Sequence, residues 1–219
     1  MSRKVGVCLS GCGVRDGSEI HETVLTLLAL DHAGVEAVCI APDGAQTQVV
    51  NHVDGKQQKE KRDILAESGR IARGNIKNIK KVTADDLDAL IFPGGFGAAL
   101  NLCDFGINGE KCTVHPEVNR LVREMHKAEK PIGAMCIAPA LIARILGDHG
   151  VLLTVGTDAS TAKKIEAMGA HHQFCAVQDI VVDEKNKIVS TPAYMLANCI
   201  SDVSTGIQKL VKKIVELIG

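Results

Sequence analysis

The chain has 219 residues, 46 % of them hydrophobic and 23 % charged, and a formal net charge of -1. This globular balance excludes whole-chain disorder, and 25 Lys+Arg against 26 Asp+Glu leave no basic excess for a nucleic-acid partner. With no Trp, a single Tyr and 4 Phe, a base-stacking platform is excluded as well, and the core must be built from Val, Ile, Leu and Ala, as buried parallel strands are. Residues 4–10 read as a strand that ends in the glycine-rich Gly11-Cys-Gly-Val-Arg-Asp-Gly17, and Ser18 can cap a helix over 19–33 whose apolar positions fall at helical spacing. A second strand over 35–41 completes a strand–helix–strand unit, which implies a parallel pair. The polar stretch 42–59 offers a small hairpin around 48–53, followed by a helix over 61–73, a brief strand at 76–79, a short helix at 85–88 and a strand over 88–92 broken by Pro93-Gly-Gly-Phe-Gly97. Pro116 opens a helix that continues over 117–127; a strand at 131–135 runs straight into Cys136, and a helix covers 139–146. A strand over 151–155, a helix over 160–168, a hairpin of 180–182 with 188–190 and a long closing helix over 198–218 finish the chain. The alternation predicts one α/β domain over 1–219, a doubly wound, mostly parallel sheet with helices on both faces.

Met1-Ser-Arg-Lys-Val5 runs directly into strand-like sequence, with no apolar signal core and no Arg/Ser-rich transit stretch, and no apolar run reaches membrane-spanning length. A soluble, cytoplasmic protein is therefore expected, with its 8 cysteines reduced. Their spacing contains no C-x-x-C, which excludes zinc-ribbon and thioredoxin readings. The pair His171-His172 with Cys175 lacks a fourth metal ligand, so no metal is expected. Gly11 and Gly13 begin a dinucleotide fingerprint, but Asp16 stands where its third glycine belongs, and its charge would repel a pyrophosphate.

Ligands of such sheets bind at the carboxyl ends of the strands, where three turns converge here: 11–17, 93–97 and 135–139. The last is the most informative. In Pro131-Ile-Gly-Ala-Met-Cys-Ile-Ala-Pro-Ala140 a strand meets a helix with hardly a residue between, and Cys136 sits at the junction. A sharp elbow of this kind presents a side chain above the sheet at the positive end of a helix, which should lower the thiol pKa. Most cysteines of reduced proteins are inert core residues, and it is this location that singles out Cys136. The main-chain N–H groups of Gly95 and Ile137 could form an oxyanion hole beside it; the bland alternative for 93–97 is a strand-ending turn.

These segments, together with Asn101-Leu102, Glu19-Ile-His-Glu-Thr-Val24, Asn51-His52, Cys112-Thr-Val114, Gly156-Thr-Asp158, Asp179-Ile-Val-Val-Asp183 and Thr191-Pro-Ala-Tyr-Met-Leu196, resemble the PfpI/ThiJ-type superfamily of class I glutamine-amidotransferase-like folds. Within it the chain is most similar to the ElbB, or "enhancing lycopene biosynthesis", group. The resemblance covers nearly the whole chain. It implies a flavodoxin-like sandwich, a nucleophilic Cys136, a carboxylic acid at Glu22 set against its sulfur, a homodimer, and a loose link to isoprenoid biosynthesis. Glu22 is plausible on physical grounds, since a carboxyl buried beside a thiol has a raised pKa and can act as general acid. Glu19, three residues earlier on the same helix, fits dipole compensation near solvent. Pocket candidates are Glu19, His21, Cys12, Gly94, Phe96, Asn101 and Thr157. The sequence departs from many superfamily members in lacking a histidine after the elbow cysteine, which carries Ile137 instead, or on the later strand Thr154-Val-Gly-Thr-Asp158. A Cys-His-acid peptidase triad and an amidotransferase are thereby disfavoured, and His115, His126 and His149 read as solvated or helix-end residues. What the resemblance points to is a cofactor-free, glutathione-independent glyoxalase acting on a small-molecule carbonyl, glyoxal to glycolate. The alternative is a redox-sensing or regulatory protein with an oxidisable cysteine.

Overall fold

The computed structural model describes residues 3–219. Its elements in chain order are β1 (Lys4–Cys8), α1 (Ile20–His32), β2 (Glu36–Ala41), α2 (Ile64–Ile71), β3 (Lys77–Asn78), β4 (Ala89–Phe92), α3 (Phe96–Leu100), α4 (Phe105–Asn108), α5 (Pro116–Lys127), β5 (Ile132–Met135), α6 (Ala138–Leu146), β6 (Leu152–Leu153), α7 (Ala159–Ala167), β7 (His171–His172), β8 (Val181–Asp183), β9 (Ile188–Thr191) and α8 (Ile200–Ile218). Seven strands form the central sheet in the order β3-β2-β1-β4-β5-β9-β8. Every pairing in it is parallel except β8 with β9, the predicted hairpin. This is the flavodoxin-like α/β architecture. β4 and β5 are apolar throughout and fully buried, as strands covered on both faces must be. One apolar layer joins Phe92 and Ile132 to Leu121, Met125 and Leu141 of α5 and α6, and the other joins Val7 and Ile91 to Leu30 of α1 and to Ile207 and Leu210 of α8. Among the described residues, no helix is long and apolar enough to cross a membrane.

The departures from expectation are local. The strand expected over 151–155 does not join the main sheet; only Leu152 and Leu153 are extended, and they pair in parallel with His171 and His172 in a separate two-stranded sheet. Asp183 takes up the free Leu152 N–H at 2.8 Å, so a side chain completes what a strand would otherwise supply. The helix at 85–88 is a 3-10 turn at Ala84–Asp86, closed by the Asp86 carboxylate on the Thr83 N–H at 2.9 Å. The hairpin at 48–53 reduces to an isolated bridge of Val50 with Gln57. Residues 96–97, read as turn, already belong to α3.

The loops at the carboxyl edge of the sheet are tied together by Asn101, which is nearly buried. Its Nδ2 donates to the Ser10 and Asp16 carbonyls at 2.8 and 2.9 Å, and its Oδ1 accepts from the Thr47 N–H at 2.9 Å. Both donors and one acceptor position are spent on backbone, so it acts as a brace between three loops and not as a pocket residue. Truncation leaves two carbonyls and one N–H without this partner. Asn101→Ala should destabilise the fold by about 2–3 kcal/mol, read as a lower urea midpoint with unchanged slope.

Candidate active site

β5 ends at Met135, and Cys136 turns the chain with φ 58° before α6 begins at Ala138. A left-handed conformation at a residue with a Cβ is costly and is held here by its surroundings: the Cys136 N–H donates to the Thr191 carbonyl at 3.1 Å. The elbow is thus formed as the short strand-to-helix spacing predicts. The sulfur receives the N–H groups of Gly95 and Ile137.

Glu22 comes from the first turn of α1 and is completely buried. Its Oε2 accepts from the Gly94 N–H at 2.8 Å, its Oε1 from the Tyr194 N–H at 3.2 Å, and its carboxyl shares a hydrogen bond with the Cys136 thiol. Gly94 makes this approach possible. A Cβ there would stand 2.8 Å from Glu22 Oε2 and 2.9 Å from Cys136 Sγ, so any side chain would separate the pair. Gly95 has φ 88°, and a Cβ on it would run into the backbone of Gly17 and Glu19.

The two acids of α1 have different tasks. Glu19, not Ser18, is the N-cap: its Oε2 accepts from the Glu22 N–H at 2.7 Å. Ser18 instead accepts from the Ser10 N–H at 2.8 Å. Glu19 is 7 % exposed, which corrects the expectation that it stands near solvent. Its charge lies close enough to act on Glu22. Burial foremost, and then the Glu19 charge, push the Glu22 carboxyl up to about 7, against the pull of the Tyr194 and Gly94 N–H groups and of Cys136.

The thiol corrects a second expectation. Burial and the facing Glu22 charge hold Cys136 well above the ordinary thiol range, although the Gly95 and Ile137 N–H groups oppose them. The helix end and its donors are present, but they are outweighed by a carboxylate in contact and by the loss of solvent. Near neutral pH the pair holds a proton on sulfur facing a base on Glu22. That is an arrangement for moving one proton, not for displaying a permanent thiolate.

The other candidates are distributed around this centre. The His21 Nδ1 is 2.7 Å from the Tyr194 hydroxyl, at the outer side of the segment whose N–H holds Glu22. Cys12 lies on the other side of the first loop, where the charges acting on it are those of Arg70, Glu67, Asp16 and Arg62. Phe96 is 56 % exposed and lines a shallow recess with Arg15, Gln48 and Val50 rather than the elbow. Thr157 is exposed in the turn before α7, and its neighbour Gly156 packs against Leu196 and Pro192. His115 caps α5, its Nδ1 accepting from the Glu117 N–H at 3.3 Å. Sequence reasoning assigned no role to Tyr194, because it contributes to Glu22 through its backbone. The only available signal was its place in Thr191-Pro-Ala-Tyr-Met-Leu196.

Both of the main influences on Cys136 that involve Glu22, its charge and its hydrogen bond, raise the thiol pKa. Glu22→Gln removes the charge while keeping the volume. The pH profile of Cys136 alkylation by iodoacetamide should therefore move to lower pH, whereas Glu19→Gln should move it less. An unmoved profile in Glu22→Gln would contradict the contact.

Comparison with known proteins agrees with this geometry. The family model described as DJ-1/PfpI family matches residues 12–197. The rat "ES1 protein homolog, mitochondrial" is 46 % identical over 99 % of this chain and 84 % of its own length. The human "Glutamine amidotransferase-like class 1 domain-containing protein 3, mitochondrial" is 45 % identical over the same shares. A crystal structure of an isoprenoid biosynthesis protein with an amidotransferase-like domain from Ehrlichia chaffeensis superposes with a TM-score of 0.94 at 38 % identity, covering 100 % of both chains. The cytoplasmic location expected from the sequence is overturned by relatives that are named as mitochondrial proteins. With a family match over most of its length and relatives well above 30 % identity, the chain belongs to the DJ-1/PfpI family.

Proposed function

We propose that the protein is a cofactor-independent enzyme that uses Cys136 and Glu22 to convert a small dicarbonyl, glyoxal, to its hydroxy acid, glycolate. The observation that carries this reading is the buried Glu22 carboxyl, raised to about 7 and in hydrogen-bond contact with the Cys136 thiol. In the first step sulfur adds to one aldehyde carbon while its proton passes to Glu22, which delivers it to the new alkoxide; the product is a hemithioacetal. Glu22, again a carboxylate, removes the hydrogen from the carbon bearing sulfur and protonates the neighbouring carbonyl oxygen, giving an enediol; the hydroxyl proton on the sulfur-bearing carbon then passes through Glu22 to the neighbouring carbon. The result is a glycolyl thioester. Water cleaves it to glycolate and restores the thiol, with no net oxidation or reduction. The Gly95 and Ile137 N–H groups, which already face the sulfur, are placed to hold an oxyanion formed beside it. A carboxyl titrating near 7 can both accept and donate at neutral pH, which is what one residue must do where no histidine assists.

The redox alternative is weakened by the same geometry, since a buried thiol held in its protonated form reacts slowly with peroxide. Direct measurement of glycolate from glyoxal tests the enzyme reading. Cys136→Ser should abolish the activity, and Glu22→Gln should lower kcat by about a hundredfold or more, with the fold intact. Absence of glycolate from the wild-type protein, or turnover surviving in Cys136→Ser, would refute it.

We further propose a homodimer through α1. Ile20, Val24 and Leu28 recur every fourth residue on this helix and are all exposed, as is Ile200 at the start of α8. An apolar stripe left open to water beside the site is a surface for a second copy. Sedimentation at micromolar concentration should show a dimer that Val24→Asp with Leu28→Asp dissociates; a monomeric wild type would contradict it.

A further inference from the structure

At the amino ends of β5 and β9, the edge of the sheet opposite Cys136, the surface sinks into a recess of about 580 Å³. Three segments form it: the end of α5 with Arg123, His126 and Lys127, the turn after α6 with His149, and the β8–β9 turn with Lys185 and Lys187. The buried Leu146 forms part of its floor, and Glu129 is its one acidic lining residue. Four permanent cations thus surround one concavity in a chain whose formal net charge is -1. Some basic residues elsewhere have carboxylate partners, Arg120 with Glu117 and Glu124, and Lys213 with Glu184. Among the described residues, no carboxylate pairs with Arg123, Lys127, Lys185 or Lys187. Compensation of helix dipoles accounts for Arg123 and Lys127 at the end of α5, but not for Lys185 and Lys187, which stand on a hairpin turn.

The recess is also pre-organised. The buried Asp183 accepts from the Asn186 N–H at 3.0 Å and from its Nδ2 at 2.8 Å. Asn186 Oδ1 in turn lies 3.2 Å from His126 Nε2, so that ring donates to it. The His126 and His149 rings pack with centroids 4.5 Å apart. The Arg123 Nε donates to Asn119 at 3.0 Å, which orients the guanidinium. A turn braced on a buried carboxylate, two packed imidazoles and convergent cations without counter-ions match a compact, multiply charged anion. The volume is that of a small-molecule site.

We propose that this recess binds a small ligand through a phosphate or diphosphate group, independently of Cys136. Titration calorimetry of the full chain with inorganic diphosphate tests it. Saturable binding at one site per chain is expected, weakened by added KCl. Lys127→Gln with Lys187→Gln should lower the affinity roughly tenfold or more. Cys136→Ser should bind as the wild type does, which separates this site from the reaction proposed above. No saturable heat, equal affinity in the double variant, or loss of binding in Cys136→Ser would each overturn the proposal. So would tighter binding of a short DNA duplex than of diphosphate, since that would mark the cations as a nucleic-acid surface.

Discussion

The Glu22 carboxylate is the point on which the site depends. It is the meeting place of three segments remote in sequence: α1 carries it, and the 93–95 turn and the 192–195 turn each donate one N–H to it. Every other feature of the elbow follows from making room for this group. Gly94 is bare so that sulfur and carboxyl can touch, Gly95 takes a left-handed φ to aim its N–H at the sulfur, and Glu19 closes the helix end beneath. A buried carboxyl without hydrogen-bond partners would be a poor resident of an apolar core. With two backbone donors and a thiol it is satisfied in both protonation states, which is why a titrating group can sit there at all.

Much of this was readable from residue order. The parallel alternation is inherent in apolar runs such as Ala89–Phe92 and Ile132–Met135 separated by helical spacing, and the elbow in a cysteine with no loop between strand and helix. What could not be read has physical causes. Val151–Val155 has the composition of a sheet strand, but pairing partners are decided by tertiary placement, and the Asp183 carboxylate takes the Leu152 N–H instead. The contribution of Tyr194 is made by an N–H that any residue but proline would carry. The direction of the Cys136 shift is a contest between opposing effects of similar kind, and only the observed contact with Glu22 decides it. Asn101, by contrast, sits in a stretch that identified the family, yet its side chain serves the loops and not the chemistry.

The sheet separates two chemistries. At its carboxyl edge lies a nearly neutral, desolvated proton-sharing pair, built mainly from backbone donors and glycines. At its amino edge lies an open concavity whose character comes from cations at the end of α5 and on the β8–β9 turn. β5 and β9 connect the two, four residues each, buried and hydrogen-bonded along their length. Such short, rigid strands hold the two edges at a constant separation.

The burial of Glu22 also sets a limit on how stable the protein can be. A carboxyl that titrates near 4.5 in the unfolded chain and near 7 when folded favours the native state while it is protonated. That contribution is complete below pH 4.5 and is lost as the pH rises to 7, a change of the order of 3 kcal/mol for a fully buried group. At the pH where the carboxylate becomes a useful base, the fold therefore bears the full cost of its charge. Its amide would not relieve that cost cleanly, since the NH2 group would face the N–H of Gly94 or of Tyr194, so the position carries a standing tension between charge and burial.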